Sequence, residues 1–275
     1  MNKGIWSNIL RKFRLLYPAD YLRFILSKVK NRAGNKRFAV ENPGIILPPD
    51  YLMYESFRLD YNQYFYGGKE TAEWIVGLLA KHVALENKNI LDWGCGPGRI
   101  VRHLPALLGI AAHIYGTDYN KKSIEWCSAS LLGIEFNHNA ANAELPYPDN
   151  FFGAIYGLSI ITHLSEAKHY QWLRELLRIL EPGGILLLTS QGSNFRKKLT
   201  PAEAETYDNG LIVVRDKVKE GHRTYSAFHP VEFMQSLFAG CDILEHIVPK
   251  PVDGSTPQDV WIVRKQKSNL CLSIK

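Results

Sequence analysis

The segment that most restricts this chain is Ile90-Leu91-Asp92-Trp93-Gly94-Cys95-Gly96-Pro97-Gly98-Arg99. An apolar strand runs into three glycines at alternate positions, and a helical pattern follows. Glycine reaches positive φ and lets a ligand lie against the main chain, so this loop belongs at the carboxyl edge of a parallel sheet. The dinucleotide fingerprint needs its third glycine where Arg99 stands, and the phosphate-cradling Gly-Lys-Ser/Thr ending is absent. Asp92 closes the strand just before the glycines. A carboxylate there repels a pyrophosphate and attracts cationic or hydrogen-bond-donating groups.

The text around this loop alternates between helix and strand. Helical spacing covers residues 70–83, 99–108, 121–132 and 166–180, the last stopped by Glu181-Pro182-Gly183-Gly184. Strands are expected at 89–93, 113–117, 154–158 and 185–189, with a terminal hairpin from 241–248 and 260–265. Such alternation implies right-handed crossovers and an α/β fold with a doubly wound, mainly parallel sheet. Residues 191–229 are polar, irregular and too long for a simple connection, which suits a substrate-side insert.

With these elements in place, the sequence resembles the class I S-adenosylmethionine-dependent methyltransferases, nearest in motif to those of bacterial glycan-biosynthesis clusters. Asp92, Gly94, Gly96 and Gly98 match the acidic-x-Gly-x-Gly-x-Gly motif. Asp118 ends the next strand, Asn142 to Phe152 resembles the stretch that flanks the adenine, and Leu180-Glu181-Pro182-Gly183-Gly184 resembles the family's turn before the fifth strand. The resemblance implies a seven-stranded Rossmann-like sheet and S-adenosylmethionine as cofactor. It implies the methionine part against Asp92, Gly94, Cys95, Gly96 and Gly98, and the ribose hydroxyls on Asp118 beside Tyr119. Asn142, Ala143 and Glu144 would flank the adenine, and Ser159 completes the cofactor-binding set. The polar contact to the adenine stays open among Asn139, Asn142 and Glu144. Gly153 and Ala141 depart from the usual pattern.

Methyl transfer from a sulfonium needs alignment and dryness, and a base only when the acceptor is a poor nucleophile. His163, after the fourth strand, and His229, just before the helix that follows the insert, are the candidate bases. Their alternative is structural, and His138, His169 and His246 read as ordinary surface or packing residues. Tyr61, Tyr64 and Tyr66 could be a lid or core. Gln258-Asp259 and the stretch from Ser159 to Leu164 point by resemblance to a carbohydrate or glycolipid hydroxyl as acceptor. The alternatives are N-, O- or C-methylation of a small molecule of secondary metabolism, and a non-catalytic protein that binds the cofactor.

Charge separates the chain into parts. Ten of the 33 basic residues fall in residues 1–37 against one acidic residue, so a basic arm precedes a mildly acidic body. That body, which also lacks a base-flipping motif, argues against a nucleic-acid substrate. The expected domains are a basic amphipathic arm at 1–37, a linker or lid at 38–68, and the methyltransferase domain at 69–275. The arm reads as two short helices, broken at Pro18 and ended at Ala33-Gly34-Asn35. It could meet an anionic membrane, pack on protein, or remain a solvated tail. Four dispersed cysteines fit neither a disulfide scaffold nor zinc, so no metal is expected. Without a signal peptide or a bilayer-length apolar run, the expected location is cytoplasmic, with peripheral contact at the inner membrane face as an addition.

Overall fold

The computed structural model describes residues 16–140, 142–252 and 254–267. The expectations placed on residues 1–15, Ala141 and Cys271 lie outside the described residues. Two compact units divide the chain after Asn139.

The first unit opens with α1 (Leu16–Glu41), a single helix of 26 residues. It runs through Gly34 instead of stopping there. Tertiary contacts past the glycine outweigh its helix penalty of about 1 kcal/mol. Asn35 Oδ1 accepts the Tyr61 backbone N–H at 3.0 Å. Phe38 is buried with its ring 6.2 Å from Tyr61 and 5.9 Å from Tyr66. The expected linker is largely helical: α2 (Asp50–Ser56) is followed by α3 (Tyr61–Leu79). The Asp60 side chain caps α3 by accepting from Gln63 N, so the helix starts well before the apolar repeat suggests. Gly67 and Gly68 lie inside it. A Cβ on Gly68 would come within 2.3 Å of the Arg99 carbonyl oxygen, so only glycine allows this approach.

β1 (Asn89–Trp93) leads into the glycine loop, a 3₁₀ turn at Val101–His103 and α4 (Leu104–Leu108). β2 (His113–Asp118) pairs with it in parallel, Asp92 opposite Gly116. α5 (Lys121–Ser130) starts on Asn120, whose side chain accepts from Lys122 N and Ser123 N. β3 (Glu135–His138), unforeseen in the sequence, pairs in parallel with β2.

In the second unit every residue of β4 (Phe152–Gly157) is buried. A 3₁₀ turn (Ile161–His163) and α6 (Glu166–Ile179) follow. β5 (Leu180–Ser190) begins directly after the helix and absorbs the expected stop signal. Phe152 pairs with Leu180 but Ala154 with Ile185, so Glu181 to Gly184 bulge out of the ladder. The insert holds a 3₁₀ turn (Ser193–Lys198), α7 (Pro201–Asp208) and the small antiparallel pair β6 (Val213–Arg215) and β7 (Ser226–Phe228). After α8 (Val231–Leu237), β8 (Cys241–Ile247) and β9 (Asp259–Lys265) form the expected hairpin, with β9 antiparallel to β5. The seven main strands run in the order β3-β2-β1-β4-β5-β9-β8, a mainly parallel α/β sheet.

Candidate functional site

In the first unit the glycine loop is tied to the end of β2. Gly94 N and Cys95 N both donate to the Thr117 carbonyl, at 2.8 and 3.0 Å. Gly96 N donates to Asp118 Oδ2 at 2.9 Å, and Gly98 N to the Cys95 carbonyl at 3.1 Å. Pro97 has no N–H. Every amide donor from 94 to 98 is therefore spent inside the protein, and an anion would find none here. The geometry itself excludes the phosphate cradle. Positive φ at Gly94, Gly96 and Gly98 makes these bonds possible.

Asp118 is the charged centre of this half. It is buried, and its Oδ1 accepts from Asn120 N at 2.7 Å. Burial is the largest influence and raises its pKa to about 6; nearby Glu55 adds to the rise, while the two amide donors oppose it. Each oxygen keeps a second lone pair, so the site fits a ligand bringing neutral hydroxyl donors, as a ribose diol does. Glu55 Oε2 accepts from Asn120 Nδ2 at 3.0 Å, which adds a second carboxylate that sequence reading missed. Asp92 is buried at the strand end, and Tyr119 is half-exposed beside Asp118.

The side chain of Cys95 turns inward. Its Sγ lies 3.1 Å from where Gly116 would carry a Cβ, so only its backbone can line the loop. Burial raises this thiol's pKa well above the usual range. Tyr64, a candidate lid residue, is fully buried and its hydroxyl donates to the Pro97 carbonyl at 2.8 Å. Tyr61 and Tyr66 donate to Asp50 and Asn42. These tyrosines brace the unit and do not cover the loop. Asn139 is buried, with its Oδ1 committed to the Thr117 hydroxyl at 2.8 Å.

In the second unit Asn142, Ala143 and Glu144 line a groove of about 440 Å³ against Lys168, Arg174 and Arg178 of α6. Glu144 N bonds back to the Asn142 carbonyl, which makes a tight turn, and Leu145 N donates to Glu175.

Ser159, at the end of β4, has φ +66, a backbone conformation that non-glycine residues rarely adopt. Two partners and three hydrogen bonds hold it there. Ser159 N donates to Thr189 Oγ1 at 2.8 Å, and Thr189 donates to Gln258 Oε1 at 2.6 Å. Gln258 Nε2 then returns to Ser159 Oγ at 2.5 Å, which closes the ring of hydrogen bonds. Neither Thr189 nor the role of Gln258 could be read from residues 30 and 99 positions away. Asp259 has a different role: it accepts from His246 Nε2, whose ring stacks on Trp261 at 3.8 Å.

His163 follows this turn. Its Nδ1 lies 2.7 Å from the Tyr225 carbonyl, which requires Nδ1 to carry the proton and leaves Nε2 as a lone pair. Burial, opposed by that hydrogen bond, lowers its pKa, so the ring is neutral at neutral pH. The insert grips the same turn through Gly221 N to the His163 carbonyl and Glu220 to Ser165 N.

The sequence leaves His229 open between a base and a structural residue. In the structure this histidine is buried with its Nε2 2.9 Å from His169 Nε2, and Phe233 packs beside both rings. The Tyr207 hydroxyl takes its carbonyl. Burial, then His169, pushes its pKa well below the usual value. Of the two candidate bases, His163 is fixed at Nδ1 on the Tyr225 carbonyl, and His229 packs on His169 with its buried Nδ1 lacking a hydrogen-bond partner among the described residues.

A strand–glycine loop–helix whose amide donors from 94 to 98 are all spent, and a buried carboxylate closing the next strand, form a Rossmann-like site suited to a ligand that brings hydroxyl donors and not phosphates. Residues 90–184 match the family model of the methyltransferase domain. Residues Asp92 to Gly98 and Asp118, all within that match, are the ones that would hold the methionine and ribose parts of the cofactor. Over 127 residues the chain is 32% identical to a ubiquinone/menaquinone biosynthesis C-methyltransferase of Ectopseudomonas mendocina, covering 43% of this chain and 46% of that one. Over 128 residues it is 31% identical to the enzyme of that name from Hahella chejuensis, covering 44% and 48%. The alignments thus span about half the length of these relatives. In fold, the chain is similar to an S-adenosylmethionine-dependent methyltransferase from Methanosarcina mazei, at TM-score 0.53 and 18% identity over 70% of this chain and 98% of that one. A second such structure, from Mesorhizobium loti, gives TM-score 0.52 and 16% identity over 70% and 98%.

Proposed function

We propose that this protein is an S-adenosylmethionine-dependent methyltransferase that O-methylates a carbohydrate or glycolipid hydroxyl, with His163 as the base. The carrying observation is the ring of His163, pinned at Nδ1 on the Tyr225 carbonyl with Nε2 left as a lone pair. Bound S-adenosylmethionine supplies an electrophilic methyl group. The chain's residues do the rest. Asp118 and the glycine loop orient the cofactor. The Ser159–Thr189–Gln258 ring fixes the turn that leads to His163. The insert holds the imidazole in one tautomer, so that Nε2 would take the proton of the acceptor hydroxyl. A sugar hydroxyl is a poor nucleophile unless a base removes that proton, which is why a fixed, neutral imidazole supports this acceptor class.

A second reading rests on the relatives, whose name specifies C-methylation in quinone biosynthesis. One assay separates the two. Methyl-labelled cofactor is offered with lipid-linked oligosaccharides and sugar nucleotides, and separately with a demethylated quinone. Label in the carbohydrate fraction as a methyl ether is expected. Label on the quinone ring would replace the first reading with the second, and label on neither, from protein that binds S-adenosylhomocysteine, would overturn both. For the same residue, His163→Gln is expected to lower transfer about 10²- to 10⁴-fold. Its affinity for S-adenosylhomocysteine, measured by calorimetry, should stay within a few-fold of the parent.

A further inference from the structure

Helix α1 has two apolar faces. Leu16, Phe24 and Phe38 are buried on one side, with Asp20 among them. At 100° per residue these positions fall within one narrow stripe. That stripe is fully engaged inside the first unit. Phe24 lies 5.3 Å from the Tyr54 ring, Asn31 donates to the Leu59 carbonyl, and Lys28 pairs with Asp50 at 2.8 Å.

The opposite side repeats the pattern without cover. Leu22, Ile25, Leu26, Val29 and Val40 fall on the outward arc, and Val29 is 70% exposed while Leu22 and Leu26 are each 59% exposed. Polar side chains would cost nothing at such positions. Cations border the stripe on both sides: Lys28 and Arg32 along one edge, Arg23, Lys30 and Arg37 along the other, with Lys36 near its end. All six are exposed. Among the described residues, Arg23, Lys30, Arg32, Lys36 and Arg37 make no ion pair. The acidic residues of the helix are Asp20, which is buried and accepts from Tyr54, and the terminal Glu41.

We infer that this face of α1 lies on an anionic lipid surface. An apolar strip between two rows of cations matches the layering of a bilayer interface, with acyl chains under the strip and headgroup phosphates beside it. Long cationic side chains reach sideways to the phosphates while their stems stay apolar. The helix needs no insertion across the membrane, and no described helix is long and apolar enough to cross one. A protein groove would be expected to supply acidic partners on both borders at fixed spacing, whereas a fluid anionic surface accepts cations at any spacing. The inference stands apart from the methyl-transfer reading, and its test has no enzymatic readout.

The test is flotation of the full chain with vesicles of phosphatidylcholine alone or with about 30% phosphatidylglycerol, at about 0.1 M and 0.5 M salt. Binding to the anionic vesicles alone, weakened by salt, is the expected result. Leu22→Ser/Leu26→Ser/Val29→Ser and, separately, Lys30→Gln/Arg32→Gln/Lys36→Gln/Arg37→Gln should each lower partitioning at least tenfold. Both variants change exposed side chains, so their helical circular dichroism and affinity for S-adenosylhomocysteine should match the parent. Failure of the parent to float with anionic vesicles would overturn the inference. So would parent-like binding by both variants, which would move lipid contact to another segment. Sedimentation showing a dimer that the serine variant dissociates would assign the stripe to a second copy of the chain instead.

Discussion

At the scale of single residues, Asp118 carries the most testable chemistry. Its carboxyl is buried, receives two backbone N–H groups, and has its pKa raised to about 6 mainly by loss of water. Hydroxyl donors from a ribose stabilise the ionised form, so cofactor binding should expel the proton. Affinity for S-adenosylhomocysteine is therefore expected to be about tenfold weaker at about pH 5 than at about pH 7.5. Asp118→Asn should bind weakly, and with no pH dependence over that range. Calorimetry of both proteins checks this, and a flat profile in the parent would show that Asp118 is ionised throughout. Asp118 was legible in the sequence because one carboxylate at a strand end after a glycine loop is a local pattern. The lock on Ser159 was not, since its three side chains meet only after β4, β5 and β9 have paired. Nor could sequence separate His163 from His229, because burial against His169 distinguishes them and that contact spans 60 positions.

Helices and strands show why local rules succeeded in some places and failed in others. The terminal hairpin was legible because both strands are apolar and a Pro/Gly/Ser turn separates them. β3 escaped notice because Glu135-Phe136-Asn137-His138 has one apolar residue, and parallel pairing with β2 makes it a strand. The sequence ends this helix at Ala33-Gly34-Asn35 because Gly34 disfavours a helix interior, yet contacts on both sides of it carry α1 on to Glu41. Two of the helical glycines, Gly34 and Gly68, therefore predict opposite outcomes. Gly34 has nothing within 4 Å of a built Cβ, so Gly34→Ala should stabilise by about 0.5–1 kcal/mol through helix propensity alone. Gly68→Ala brings the same propensity gain, but its methyl group would collide with the Arg99 carbonyl, which must move together with the end of the glycine loop. It should destabilise by about 1–3 kcal/mol and weaken cofactor affinity. Thermal unfolding of the two variants side by side checks the pair. Stabilisation by both would mean that α3 and the loop do not touch as closely as the structure places them.

Over the whole molecule the buried titrating groups set the response to acid. Burial lowers the pKa of His103 and His169 to about 4, and it lowers those of His163 and His229 as well. Each stays neutral in the folded chain while the unfolded chain takes up its proton below about pH 6.5. Between that value and about pH 4, His103 and His169 therefore make stability fall as pH falls, and His163 and His229 act in the same direction below about pH 6.5. Asp118 and Asp259 act in the opposite direction, because their pKa values are raised and the folded state holds their protons first. Glu203, held down to about 2 through its bonds with Arg215 against the effect of burial, adds acid sensitivity only below the ordinary carboxylate range. At about pH 5 the imidazoles of His103 and His169 each favour uptake of about one proton on unfolding and Asp118 favours release of about one, while His163 and His229 add to the uptake and Asp259 to the release. Net uptake is expected, so stability should fall as pH falls there, and calorimetry in buffers of different ionisation enthalpy measures the uptake directly. His103 allows a clean subtraction, since its Nε2 has no hydrogen-bond partner and its ring packs 4.9 Å from Phe65. His103→Phe keeps that packing and should lower the uptake by about one proton. Net proton release by the parent would sink the idea, because it would mean that the buried carboxyls and not the imidazoles dominate the acid response.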